Sequence, residues 1–203
     1  MAMLAIPIQP DISRLFQELD LDIERDPADH ITMFYFGDDL PISKVLKIIP
    51  VIFEITNNLK PFTAAASNYS SFDSDEEYPI ICPVKSKGLI DLREKIKKAF
   101  DSKKISYDKK FPEYKPHITL GYSKEKKKNT KFPKVEFTIS QLSLYAGDNS
   151  DTKLFVNFPF TINKFSRLDL MSSLYAKHIT NYGDYELPLD HHISKSVGIC
   201  SPR

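Results

Sequence analysis

Asp29-His30-Ile31-Thr32-Met33-Phe34-Tyr35-Phe36-Gly37 and Lys115-Pro116-His117-Ile118-Thr119-Leu120 each place the tripeptide His-Ile-Thr at the head of an apolar run. Runs of this kind, rich in β-branched and aromatic residues, predict β-strands. Successive strand side chains point to opposite faces, so residues two apart share a face, roughly 6–7 Å from each other. In both copies an imidazole and a hydroxyl therefore face one way. Ile31, Met33 and Tyr35, or Ile118, Leu120 and Tyr122, face the other. Two copies in matching contexts predict a site assembled from two halves of one chain, with a histidine from each half.

The surrounding pattern repeats as well. Leu4 to Ile8 predicts a strand and Pro10-Asp11 a helix start, with Ile12, Leu15, Phe16 and Leu19 spaced for one buried face. The first His-Ile-Thr strand then runs from His30 to Phe36. Asp38 or Asp39 can cap the next helix, which carries Val45, Leu46, Ile49, Ile52, Phe53 and Ile55 and which Pro50 should kink or divide. Phe62 to Ala66 reads as a strand and Asn68 to Glu77 as a solvated loop. A second round follows: strand Pro79 to Val84, amphipathic helix Lys87 to Lys103, a polar connection, and the second motif, where Pro116 forces extended backbone ahead of His117. Val135 to Tyr145 and Lys153 to Ile162 predict two more strands joined by the turn Gly147-Asp148-Asn149. Beyond Asn163 the regularity fades, with a short helix expected over Phe165 to Tyr175. The expected division is a domain over 1–163 and a C-terminal extension over 164–203.

The 203 residues suffice for one compact or bilobal domain. A formal net charge of +1 gives no global case for coating a polyanion, so any such contact must come from local lysine clusters. Cys82 and Cys200 are too few for a disulfide framework and lack zinc-ligand spacing, which predicts a reducing, cytoplasmic setting. The N-terminus lacks a signal-peptide pattern and no apolar window reaches membrane-spanning length, so a soluble protein without a membrane partner, monomeric, is expected.

Two histidines on converging strands suit acid–base chemistry at a phosphodiester. One neutral imidazole takes a proton from water or from a ribose 2′-hydroxyl, and the other, as imidazolium, protonates the leaving oxygen. Thr32 and Thr119 can hold the non-bridging oxygens. No carboxylate cluster stands beside either motif except Asp29, so no metal or other cofactor is expected. Alternation places Phe34 and Phe36 on the His30 face, positioned to stack on a base or line the cleft. It places Gly121 on the His117 face, where a ligand can approach the backbone. Tyr122, Lys115 and Lys124 complete the expected substrate contacts, with Lys126, Lys127 and Lys128 nearby. A third tripeptide, His178-Ile179-Thr180, lacks the long apolar strand of the other two. His191-His192 with Cys200 matches no closed zinc pattern.

These two motifs, together with Leu4-Ala5-Ile6-Pro7-Ile8 and the strand pair at 135–162, resemble the 2H phosphoesterases, which include LigT-like 2′,5′-RNA ligases and cyclic nucleotide phosphodiesterases. The resemblance covers residues 3 to 163. It implies an α+β, bilobal fold: two pseudo-symmetric lobes of antiparallel sheet, helices outside, and a central cleft holding both motifs. It also implies that His30 and His117 are the acid–base pair and that Thr32 and Thr119 orient phosphate. LigT-like members often carry a basic residue shortly after each motif, where this chain has Phe34 and Tyr122. That departure leaves room for smaller nucleotides, including the cyclic oligonucleotide defence signals that some bacteriophage members destroy. The expected substrates are 2′,5′-linked, 2′,3′-cyclic or cyclic oligonucleotide phosphates. A non-catalytic nucleotide- or RNA-binding module and an RNA end-processing enzyme are the competing readings.

Overall fold

The computed structural model describes residues 2–26, 29–38, 40–110, 113–147, 153–160 and 197–200. Their order is β1 (Ala2–Pro7), α1 (Pro10–Gln17), β2 (Glu24–Arg25), β3 (His30–Gly37), α2 (Ile42–Thr56), β4 (Phe62–Ser71), β5 (Tyr78–Pro83), α3 (Lys87–Ser102), β6 (His117–Ser123), β7 (Thr130–Ile139), β8 (Gln141–Gly147), β9 (Lys153–Pro159) and β10 (Val197–Cys200). The strands form two five-stranded antiparallel sheets. One runs β10-β9-β8-β1-β3 and the other β2-β6-β5-β4-β7. The two His-Ile-Thr strands thus belong to different sheets, and β3 lies against β6 where the lobes meet.

The hydrophobic core is continuous through both lobes, from Leu4, Ile6 and Ile31 on one side to Cys82, Ile118 and Leu120 on the other. The helices between paired strands cross over. α1 follows β1 of the first sheet, yet Phe16 packs edge-on to Phe132 of β7 at 6.2 Å. Arg25 of β2 donates hydrogen bonds to the carbonyls of Phe16 and Leu19 at 3.1 and 2.7 Å, fixing that helix to the second sheet. Reciprocally, α3 joins strands of the second sheet and sends Phe100 and Arg93 onto Phe34 of the first.

Three expectations change. Val135–Tyr145 is not one strand: β7 ends at Ile139 in the second sheet and β8 begins at Gln141 in the first. The chain changes sheets at Ser140, whose carbonyl accepts the Phe160 N–H at 2.7 Å. β4 continues to Ser71 instead of ending at Ala66, because Asn68 and Tyr69 pair with Lys131 and Thr130. Pro50 does not divide α2, which runs through it as a single helix. Its N-cap is Pro41, with no side-chain cap from Asp38. The expected helix at 165–175, His178-Ile179-Thr180 and His191-His192 lie outside the described residues, whereas Val197–Cys200 adds an edge strand to β9.

Candidate active site

The two motifs sit in hairpins built to one plan. Pro7 pairs with His30 and Ala5 with Thr32. In the other lobe Pro83 pairs with His117 and Ile81 with Thr119. Just ahead of each His-Ile-Thr strand the same bond recurs: Ile8 N–H to the Asp29 carbonyl at 3.1 Å, and Val84 N–H to the Pro116 carbonyl at 2.8 Å. Both ladders then slip. The register shifts between Leu4 and Ala5, skipping Met33, and between Ile80 and Ile81, skipping Leu120; a further shift between Ala2 and Met3 skips Phe36. A bulge adds one residue and breaks the two-residue alternation.

This slip corrects three expected ligand contacts. Phe34 does not share the His30 face. It is 2% exposed, edge-on to Phe100 and Tyr107 at 4.9 Å each, with the Arg93 guanidinium 3.4 Å over its ring. Phe36 likewise tilts against Phe100 at 5.9 Å and packs on the core. Gly121 is buried, and its backbone approach is to protein instead of ligand: a Cβ there would stand 2.1 Å from the Glu24 carbonyl oxygen. Its φ of +153° also falls where residues with side chains are strained. Tyr122 is exposed, paired with Glu24 and Pro79. Lys124 lies beyond the end of β6, and the ammonium of Lys115 pairs with Glu113 at 3.1 Å.

His117 is held more closely than the sequence indicated. Its Nδ1 lies 2.6 Å from the carbonyl oxygen of Lys115. A carbonyl can only accept, so Nδ1 carries the proton and the neutral ring keeps its lone pair on Nε2. Burial lowers the pKa of this imidazole from 6.5, against the opposing effect of the Lys115 carbonyl, and charge on His30 lowers it further. The two rings are therefore within electrostatic reach of each other. Phe72, which the sequence pattern assigns to a loop, stands edge-on to His117 at 4.9 Å. On the other lobe, the Ser13 hydroxyl donates to the Asp29 carboxylate beside His30. Burial raises the Asp29 pKa, opposed by the Ser13 bond. Thr32 Oγ1 is 4.0 Å from the Met3 sulfur.

The segment before His117 ties the lobes together. Asp108 N–H donates to the Tyr35 carbonyl at 2.8 Å and the Tyr114 hydroxyl to the Met33 sulfur at 3.0 Å. Burial pushes the Tyr114 pKa up, and burial lowers that of Arg93, whose Nε has no partner among the described residues. Cys82, beneath the site on β5, is fully buried, and burial pushes its thiol up to about 12, which leaves it unreactive as a thiolate. Among the described residues no cluster of three His, Cys, Asp or Glu side chains could hold a metal ion, and no helix is long and apolar enough to cross a membrane.

The sequence matches the family model of the 2′-5′ RNA ligase superfamily over residues 5–151. The chain belongs to this superfamily. No curated protein matches it. Among solved structures, the 2′-5′ RNA ligase superfamily fold recurs in TT0787 of Thermus thermophilus, with a TM-score of 0.63 at 13% identity, covering 81% of this chain and 100% of that one. A protein described as a phosphoesterase aligns with a TM-score of 0.59 at 14% identity over 79% of this chain and 98% of its own. E. coli LigT, solved with 3′-AMP, aligns with a TM-score of 0.54 at 14% identity, over 77% of this chain and 93% of its own. At these identities the likeness carries the fold, and this superfamily member has the α+β fold of the 2H phosphoesterases.

Proposed function

We propose that the protein is a phosphodiesterase that cleaves 2′,5′-linked, 2′,3′-cyclic or cyclic oligonucleotide phosphates between His30 and His117. The observation that carries this reading is the matched pair of bulged hairpins, which present His-x-Thr from each lobe at equivalent register positions. His117, neutral and with its Nε2 lone pair open, is the general base: it takes the proton from water or a ribose 2′-hydroxyl. His30 protonates the departing oxygen. Attack by a 2′-hydroxyl leaves a 2′,3′-cyclic phosphate, and attack by water opens a cyclic phosphate to a monoester. The Thr32 and Thr119 hydroxyls donate to the non-bridging oxygens as charge builds on them. Lys115 contributes through its main-chain carbonyl, which fixes the tautomer and the ring plane of His117. That LigT has been solved with 3′-AMP, ATP and NADP+ supports a nucleotide as the ligand.

The test is a panel of linear 2′,5′-, 2′,3′-cyclic and cyclic oligonucleotide substrates, with products read by mass. The expected result is turnover of at least one class that EDTA leaves unchanged. His30→Ala and His117→Ala should each abolish it, a loss of at least about 10²–10⁴-fold for a general acid or base, with unaltered circular dichroism. Recovery of every ligand intact from the wild-type protein would favour a binding module, and full activity in either variant would remove the assignment.

A further inference from the structure

The second lobe offers more than His117 and Thr119 to the cleft. Directly paired residues of adjacent strands share a face. Thr119 pairs with Ile81, and Ile81 with Ser70. Two residues before Ser70 on the same strand, Asn68 takes the same face and pairs with Lys131. Its side-chain amide donates to the Asn129 side chain at 2.7 Å, so these three polar residues form one patch. The opposite face is accounted for independently: Tyr69 and Phe132 pack on the core, Phe132 against Phe16 of α1. Phe72, two residues beyond Ser70, brings its ring to His117 on the cleft side.

From this placement we propose that the cleft face of β4 and β7 is a track for a single-stranded oligonucleotide running away from the scissile phosphate. Phe72 lies under the nucleotide next to His117, and Asn68, Asn129 and Lys131 take a phosphate further along. The proposal rests on the phosphodiesterase reading for its starting point at His117 and narrows the substrate to one longer than a mononucleotide. Three inter-strand spacings separate β6 from β7, about 14 Å, so a group on Lys131 reaches a phosphate other than the one between the histidines. The chemistry suits such a chain: Lys131 supplies charge, the two amides and the Ser70 hydroxyl supply hydrogen bonds, and an aromatic ring stacks without regard to base identity. The neighbouring lysine loop is anchored rather than loose. Lys127 N–H donates to Ser71 Oγ at 2.7 Å and Lys126 pairs with Asp73. Asp73 neutralises Lys126 and Glu125 pairs with the Lys127 ammonium at 3.7 Å, while Lys131 stands on the track itself.

The experiment measures binding in the His30→Ala/His117→Ala protein, so that turnover plays no part. Fluorescein-labelled single-stranded RNA of two and of eight nucleotides is titrated by anisotropy at several salt concentrations. The octamer should bind at least about tenfold tighter than the dimer. Lys131→Glu should weaken the octamer about fivefold or more and reduce the salt slope by about one. Asn129→Ala should weaken the octamer by a smaller factor, and Lys95→Glu, exposed on α3 away from the track, should match the parent. Equal affinity for the two lengths, no octamer binding, or an unchanged octamer affinity in Lys131→Glu overturns the track. If length-dependent binding is found while the wild-type protein cleaves nothing, the track stands and the phosphodiesterase reading falls.

Discussion

Replacing Phe34 by Ala separates two pictures of this strand. Strict alternation puts its ring in the cleft, where truncation would weaken nucleotide binding and leave stability nearly untouched. The bulge at Met33 puts it in the core, 2% exposed, with two edge-on rings at 4.9 Å and a guanidinium at 3.4 Å. Truncating a buried Phe costs about 3–5 kcal/mol. The aromatic pairs, each worth about 0.5–1.5 kcal/mol, and the bared Arg93 place this site in the upper half of that range, at about 4–5 kcal/mol. Total stabilities run about 5–15 kcal/mol, so the loss is a large share of the whole. With a urea slope of about 2 kcal/mol/M, the unfolding midpoint should fall by about 2 M. Phe34→Leu, which keeps most of the volume, should lose less than half as much. An unchanged midpoint in Phe34→Ala together with a weakened nucleotide complex would refute the bulge-based placement.

Gly121→Ala should cost roughly 1–3 kcal/mol from backbone strain alone and detach β2 from β6, since the new methyl meets the Glu24 carbonyl at 2.1 Å; loss of amide-exchange protection at Asp26, whose N–H donates to the Leu120 carbonyl, reads this directly. His117 has a folded pKa below 6.5 because of burial, so below that pH the unfolded chain binds a proton that the folded one refuses. Unfolding free energy should therefore fall as pH drops through 6.5 and level off below the folded pKa. His117→Gln should flatten that dependence, and an unaltered acid slope would count against it. By the same shift, kcat/KM should rise with pH along a limb centred below 6.5. Tyr114→Phe removes the hydroxyl that reaches the Met33 sulfur. It should lower kcat several-fold with KM and midpoint little changed, and a change confined to KM would contradict a positioning role.

Much of the architecture was legible because it rests on local rules. Pro116 forces extension before His117, and the apolar runs after each histidine are strands with Ile31 and Ile118 buried. What alternation could not reveal was the ladder slip after each threonine. Bulges depend on how two strands register, and nothing in Thr32-Met33-Phe34 alone announces one. For that reason Phe34 and Gly121 were read onto the wrong surroundings while His30, Thr32, His117 and Thr119, all upstream of the slip, kept their shared faces. Ser140 gave no turn signal, so the change of sheet between β7 and β8 was hidden inside an unbroken β-like run. Phe72 was obscured because Ser- and Asp-rich sequence around it reads as loop, although its strand neighbours Ser70 and Ser71 pair with Ile81 and Ile80.

The crossed helices have a consequence for how the molecule can be divided. Each half of the chain supplies a helix that packs on a strand of the other half, Phe16 on Phe132 and Phe100 on Phe34, and each sheet draws strands from both halves. A chain severed in the exposed stretch between Ser71 and Tyr78 leaves two fragments, each holding part of both sheets and a helix parted from the strand it packs on. Neither piece is a unit of folding. Mixed together, they supply what the other lacks, so the severed protein behaves as an obligate heterodimer whose assembly and active site form in one step.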